Sequence, residues 1–221
     1  MKSSFGLAGL AGIISIAITT SAAEPGGAYV NVDAGPSFLH DVKIKDAGGA
    51  RAKFDVGLRS DISVGYRFSE SCAGEIETGL IWNSVRRIGT TVPPPTPGGG
   101  GYAAYQRGDA DLYQIPLLAN ALYFVRCPKL SALQPYVGVG VGGIATVLDS
   151  EFPAGDVNDT DFTFAYQAFT GVKYACTDRI SIGAAYKFLG TLDHHWEGSG
   201  LDVRTRSIFT HAIVAVLSIG F

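Results

Sequence analysis

From Ala28 to its last residue the chain alternates apolar and polar side chains in eight separate stretches, and within them every acidic or basic residue falls on one parity. Successive side chains of a β-strand point to opposite faces, so a period of two predicts strands rather than amphipathic helices. The stretch 54–68 shows the pattern: Phe54, Val56, Leu58, Ile62, Val64, Tyr66 and Phe68 alternate with Asp55, Arg59, Asp61 and Arg67. The other strands are predicted at 28–38, 73–84, 113–123, 136–142, 162–174, 180–188 and about 204–221.

The parity that carries the charges decides between a soluble barrel and a membrane one. Asp33, Asp55, Arg59, Asp61, Arg67, Glu75, Glu77, Lys173 and Lys187 all stand on the mixed parity, and the apolar parity carries none. A charge at the midplane of a bilayer costs roughly 2–4 kcal/mol, so a band kept this clean is expected to face lipid, with the charges turned into the lumen. Aromatic residues gather at the two ends of that band. Tyr66, Phe68, Tyr123, Tyr174 and Phe221 are predicted at one membrane interface, and Phe38, Phe54, Trp82, Tyr113, Phe162 and Phe188 at the other. The hydrophobic fraction of 47% lies near the soluble average, so composition alone would not reveal a membrane protein. The formal charge of −3 lacks the basic excess that phosphate binding needs, and no nucleic-acid partner is expected.

The N-terminus has the layout of a cleavable export signal: Lys2, an apolar run from Phe5 to Ile18, then small residues ending Ser21-Ala22-Ala23. That run is shorter than the roughly 20 residues a spanning helix needs. Residues 1–23 are therefore expected to be removed and 24–221 to form the barrel. Connections alternate in length, with short turns at 69–71, 127–132 and 177–178 and long loops at 39–53, 85–112, 148–161 and 189–207. The expected fold is all-β: an eight-stranded antiparallel up-and-down transmembrane barrel with short periplasmic turns and four extracellular loops.

The stretches "QIPLLANALYF" and "PYVGVGVGG" and the terminal "SIGF" resemble the small outer-membrane β-barrel superfamily that includes the outer-membrane protein A transmembrane domain and the opacity proteins. The resemblance spans the mature chain and is specific for architecture, much less so for activity. It implies a place in the outer membrane of a Gram-negative bacterium, outer-membrane lipids as surroundings, and recognition of Phe221 by the barrel-assembly machinery. The chain is expected to carry no separate peptidoglycan-binding domain.

Other motifs have competing readings. Gly138, Gly140 and Gly143 match G-x-G-x-x-G, yet no helix pattern follows, so small residues making room in a narrow barrel are favoured over a phosphate site. Asp149, Glu151, Asp156, Asp159 and Asp161 fail the EF-hand pattern and read as a solvated acidic loop. Asp193, His194, His195 and Glu197 offer metal ligands, but adjacent histidines of an extended chain point to opposite faces. Neither stretch is assigned a metal, and no cofactor is expected. The run from Val92 to Tyr105 reads as a surface loop, with a host or phage ligand as the alternative. His211 is the candidate residue for lipid A hydrolysis, but its same-face neighbours, Phe209 and Ile213, supply no nucleophile. Cys72 and Cys127 should meet at one sheet edge, where a disulfide and three free thiols both stay open.

The functional expectation is an integral outer-membrane barrel with a structural or adhesive role through its four loops and no chemistry of its own. A narrow solute channel is the first alternative and a lipid A-modifying enzyme the second. Arg59 and Arg67 on the second strand should lie near Glu75, Glu77 and Asp33, with Lys173 and Lys187 entering from the far wall, so a salt-bridged plug is favoured over an open lumen.

Overall fold

The computed structural model describes residues 26–40, 42–43, 51–92, 102–106, 110–125, 132–152, 155–197, 202–205 and 207–221. The expected signal segment, 1–23, lies outside them. All regular structure among the described residues is strand. Eight long strands form the barrel: β1 (Ala28–Leu39), β2 (Gly57–Arg67), β3 (Cys72–Val92), β4 (Ala110–Phe124), β5 (Leu133–Phe152), β6 (Gly155–Ala175), β7 (Ile180–Thr191) and β8 (Phe209–Gly220). Each pairs antiparallel with its neighbours in sequence, and β8 closes the ring on β1 through pairs such as Val32 with Leu217 and Ala34 with Ala215. Closure leaves no open sheet edge, which lipid could not solvate. The backbone N–H of Phe221 continues the seam by donating to the Ala28 carbonyl at 2.9 Å.

Burial follows parity. On β2 the residues Arg59, Asp61, Ser63 and Gly65 are buried, and Leu58, Ser60, Ile62, Val64 and Tyr66 between them are exposed. The large side chains exposed along the barrel strands are mostly apolar, including Val139, Leu117 and Ile213. A water-soluble protein would bury such side chains, so their environment is lipid. Inside, the residues form layers. Along β3 the inward positions run Ala73, Glu75, Glu77, Gly79, Ile81, Asn83 and Val85, passing from apolar through charged and back to apolar. Ile81 packs with Leu118, Ile144, Ala165 and Leu189 on the long-strand side of the charges. Tyr29, Phe124, Tyr136 and Phe169 belong to the apolar cluster on the short-turn side.

Several expected boundaries are corrected. The predicted loop 148–161 is instead the continuation of β5 and β6, paired from Leu148 with Asp159 to Phe152 with Gly155. Backbone pairing likewise occupies part of 85–112, because β3 runs on to Val92 and pairs there with Tyr102–Gln106. Within 189–207, His194–Glu197 pairs with Asp202–Thr205. The stretch 54–68 is not one strand. Arg51–Phe54 and β2 both pair with β3, but Phe54 sits opposite Val85, one residue out of the register that sets Leu58 opposite Trp82.

That slip has a consequence for two residues. A one-residue shift turns a side chain to the other face of the sheet. Phe54, expected at the membrane interface, is half-buried and packs against the buried Leu112 and Ile208. Asp55, expected among the inward charges, is exposed at the bend instead. Asn83 holds this bend: its amide donates to the carbonyls of Asp55 at 3.2 Å and Ser37 at 3.4 Å, and its carbonyl accepts from Ser37 Oγ at 3.0 Å. Gly57 lies against the Trp82 carbonyl and the Asn83 side chain, where no Cβ would fit.

Candidate functional site

The middle of the lumen is crossed by one hydrogen-bonded ion cluster. Arg59 of β2 donates through Nε to Asp61 Oδ2 at 2.6 Å, and through Nη2 to Glu77 Oε1 of β3 at 2.8 Å and Gln167 Oε1 of β6 at 3.1 Å. From the opposite wall Lys187 of β7 places Nζ 2.6 Å from Asp33 Oδ2, 2.9 Å from Asp61 Oδ2 and 3.2 Å from Glu77 Oε2. Two neutral amides complete it. Asn120 donates to Glu77 Oε2 at 3.0 Å, and Gln167 donates to the same oxygen at 3.2 Å and to Asn120 Oδ1 at 2.8 Å. Six of the eight strands thus meet across the barrel axis, and the Arg59 side chain is fully buried.

Alternation explains why these groups point inward, and strand pairing explains why they meet. Asp33 and Asp61 are direct cross-strand partners, so two like charges are forced together and need a cation between them. Lys187 supplies it. Small residues make the space: a Cβ at Gly79 would strike Asp61, and one at Gly140 would strike Asn120. Gly138 gives way to the Phe169 ring, whereas Gly143 lies on the lipid side beneath Phe162. The glycine run is therefore shaped by packing on both faces.

A second polar group lies toward the short turns. Tyr29 Oη and Asn31 Nδ2 each donate to Glu75 Oε1 at 2.8 Å, and Asn31 Nδ2 also reaches Ser63 Oγ at 2.9 Å. Lys173 donates to Asn31 Oδ1 at 2.9 Å, so its link to Glu75 runs through an amide. Arg67 is not brought to Glu75 or Glu77. Its guanidinium lies 4.1 Å over the Phe124 ring and donates to Gln134 Oε1 at 3.2 Å. Asn31, Asn120 and Gln167 join these networks without any motif that marks them in the sequence. Their one signal is that each is an amide on the charge-bearing parity.

On the outer surface Tyr66, Phe68, Tyr123, Tyr174, Phe38, Trp82 and Phe162 are exposed, while Tyr113, Phe188 and Phe221 are half-buried. Trp82 Nε1 donates to Asp111 Oδ1 at 3.1 Å, a polar tip on an apolar body. His211 Nδ1 shares a 2.5 Å hydrogen bond with Tyr186 Oη, and its ring packs beside Phe188 and His40. Cys72 and Cys176 are exposed free thiols, and Cys127, the expected partner of Cys72 in a disulfide, lies outside the described residues. Among the described residues no group of three or more His, Cys, Asp or Glu side chains is placed to hold a metal ion.

A closed eight-stranded ring that is apolar outside and filled with paired charges inside defines a small transmembrane β-barrel. The chain belongs to the family described as outer membrane protein beta-barrel domain, whose model matches residues 8–210. It is an outer-membrane β-barrel protein. Among solved structures it is similar to neisserial surface protein A, at 19% identity over 88% of this chain and 97% of that one, with a TM-score of 0.55. It is also similar to the outer membrane protein OprG from Pseudomonas aeruginosa, at 16% identity over 89% and 97%, with a TM-score of 0.54. Both likenesses concern the fold. Comparison with curated proteins finds no match.

Proposed function

We propose that this barrel is a closed membrane scaffold that works through the parts it presents outside the outer membrane, in a structural or adhesive role, with no catalysis of its own. The observation that carries the reading is the cluster of Arg59, Lys187, Asp33, Asp61 and Glu77, stacked against the layer of Ile81, Leu118, Ile144 and Leu189. Eight strands enclose an interior that side chains can fill. A lumen so occupied supports holding loops rather than passing solutes.

In this reading outer-membrane lipids surround the apolar band, the assembly machinery engages Phe221, and a host or surface ligand meets the long-loop end. Export proceeds with loss of residues 1–23. Planar-bilayer recording of the refolded protein tests the closed lumen: silence is expected, and a stable conductance on the scale of a general porin overturns it. Incubation of the purified protein with lipid A tests the absence of catalysis, and released acyl chains would overturn that part.

A further inference from the structure

At the short-turn end the lumen opens into a cavity of about 160 Å³ whose wall includes Arg67, Phe124, Gln134, Lys173, Arg179 and Ser218. Its charges are arranged differently from those of the central cluster. There, three carboxylates enclose two cations; here, the inward carboxylate of this end, Glu75, is turned toward Tyr29 and Asn31, and the cations are held by neutral groups. Lys173 is buried, yet among the described residues Nζ donates only to Asn31 Oδ1 at 2.9 Å and Ser218 Oγ at 3.4 Å, two of its three possible hydrogen bonds. Among the described residues Arg67 uses one of its five donors, toward Gln134. Among the described residues neither cation has a carboxylate within ion-pair distance.

Both cations also lie against one aromatic ring, at 4.1 Å (Arg67) and 6.0 Å (Lys173) from the Phe124 centroid, with Tyr29 and Tyr136 beside Lys173. Two like charges that share an apolar wall repel more strongly than they would in water, and Glu75, linked to Lys173 only through Asn31, offsets part of that repulsion on the inner side. The exposed Arg179 adds a third cation at the rim, offset by the neighbouring Asp178. An anion seated between the two inner cations would relieve the repulsion and occupy their unused donors.

We propose that this mouth is a binding site for a small soluble oxyanion, a phosphate or a short carboxylate, taken up between Arg67 and Lys173. The planar guanidinium matches either group with two parallel hydrogen bonds, and the ammonium supplies a point charge from deeper in the lumen. The aromatic wall lowers the local dielectric and strengthens both contacts. Behind the site Asn31, Ser63 and Glu75 close the lumen, which makes it a pocket and not a channel entrance.

The test is a titration of the full folded protein in non-ionic micelles at low salt, with inorganic phosphate and, separately, acetate, read by amide NMR shifts of Gln134, Ser181, Ser218 and Gly220. Saturable shifts with at least one of the two anions are expected, reversed by added chloride. Arg67→Gln should weaken the affinity by about tenfold or more, the scale of one lost charge-assisted hydrogen bond pair. Arg179→Ala, which alters only the exposed rim, should weaken it less. No saturable shift of the wild type with either anion overturns the proposal without any variant, as does equal affinity in a folded Arg67→Gln protein. Shifts that appear only when phosphatidylglycerol is added to the micelles would assign the site to a lipid headgroup and overturn the soluble ligand.

Discussion

Lys187 Nζ lies 2.6 Å from Asp33 Oδ2 although the whole of β8 separates their strands. The β8 residue beside Lys187 is Ala212, and the one beside Asp33 is Val216, so the ammonium reaches across the inner face of β8. The contact ties β7 to β1 across β8, on the inner side of the closing seam. Removing one member of a buried pair leaves uncompensated charge and costs about 3–5 kcal/mol. Lys187→Met should lose that much in urea unfolding, because Asp33, Asp61 and Glu77 would then face one another with Arg59 alone. Adding Asp33→Asn should recover part of the loss. A single variant as stable as the wild type would show that the pair adds nothing.

Arg59→Ala addresses conduction. The side chain bridges β2 to Glu77 of β3 and Gln167 of β6, so its loss opens space at the axis. With a silent wild type, the variant should show a small conductance in planar bilayers. A folded variant that stays silent would locate the block in the apolar layer around Ile81 and Leu118 instead.

Barrel closure predicts resistance to denaturation by SDS. Every barrel strand is paired on both sides, so nothing unravels from an edge. Unboiled, refolded protein should migrate differently from the boiled sample. Identical bands from protein that retains a β-type far-UV spectrum would contradict a closed ring.

Gly138 faces the Phe169 ring, and a Cβ there would collide with it. Gly138→Ala should cost about 1–3 kcal/mol, the usual penalty for overpacking. Phe169→Leu in the same chain should restore much of it, because the smaller side chain vacates the space. Equal destabilisation with and without Phe169→Leu would mean that the ring is not the obstacle.

Cys72 and Cys176 both stand as exposed thiols, so both should react with maleimide in the folded, unreduced protein. Labelling confined to Cys176 would show that Cys72 is oxidised and restore the bridge to Cys127.

Parity was the part of this fold legible in the residues themselves. The pleat assigns alternate side chains to opposite faces whatever the strand pairs with, and a charge facing lipid is costly enough that Arg59, Asp61, Glu75, Glu77, Lys173 and Lys187 could only stand on the lumen side. The same rule failed at Phe54 and Asp55, because a register slip against β3 arises from the pairing of two strands and leaves no mark in either. Partner choice was likewise tertiary. Arg59 meets Glu77 and Lys187 meets Asp33, while Arg67 rests on Phe124, because strand stagger and side-chain reach across the lumen set those distances. Alternation along one strand determines which way a side chain points, and closure of all eight determines what it finds there.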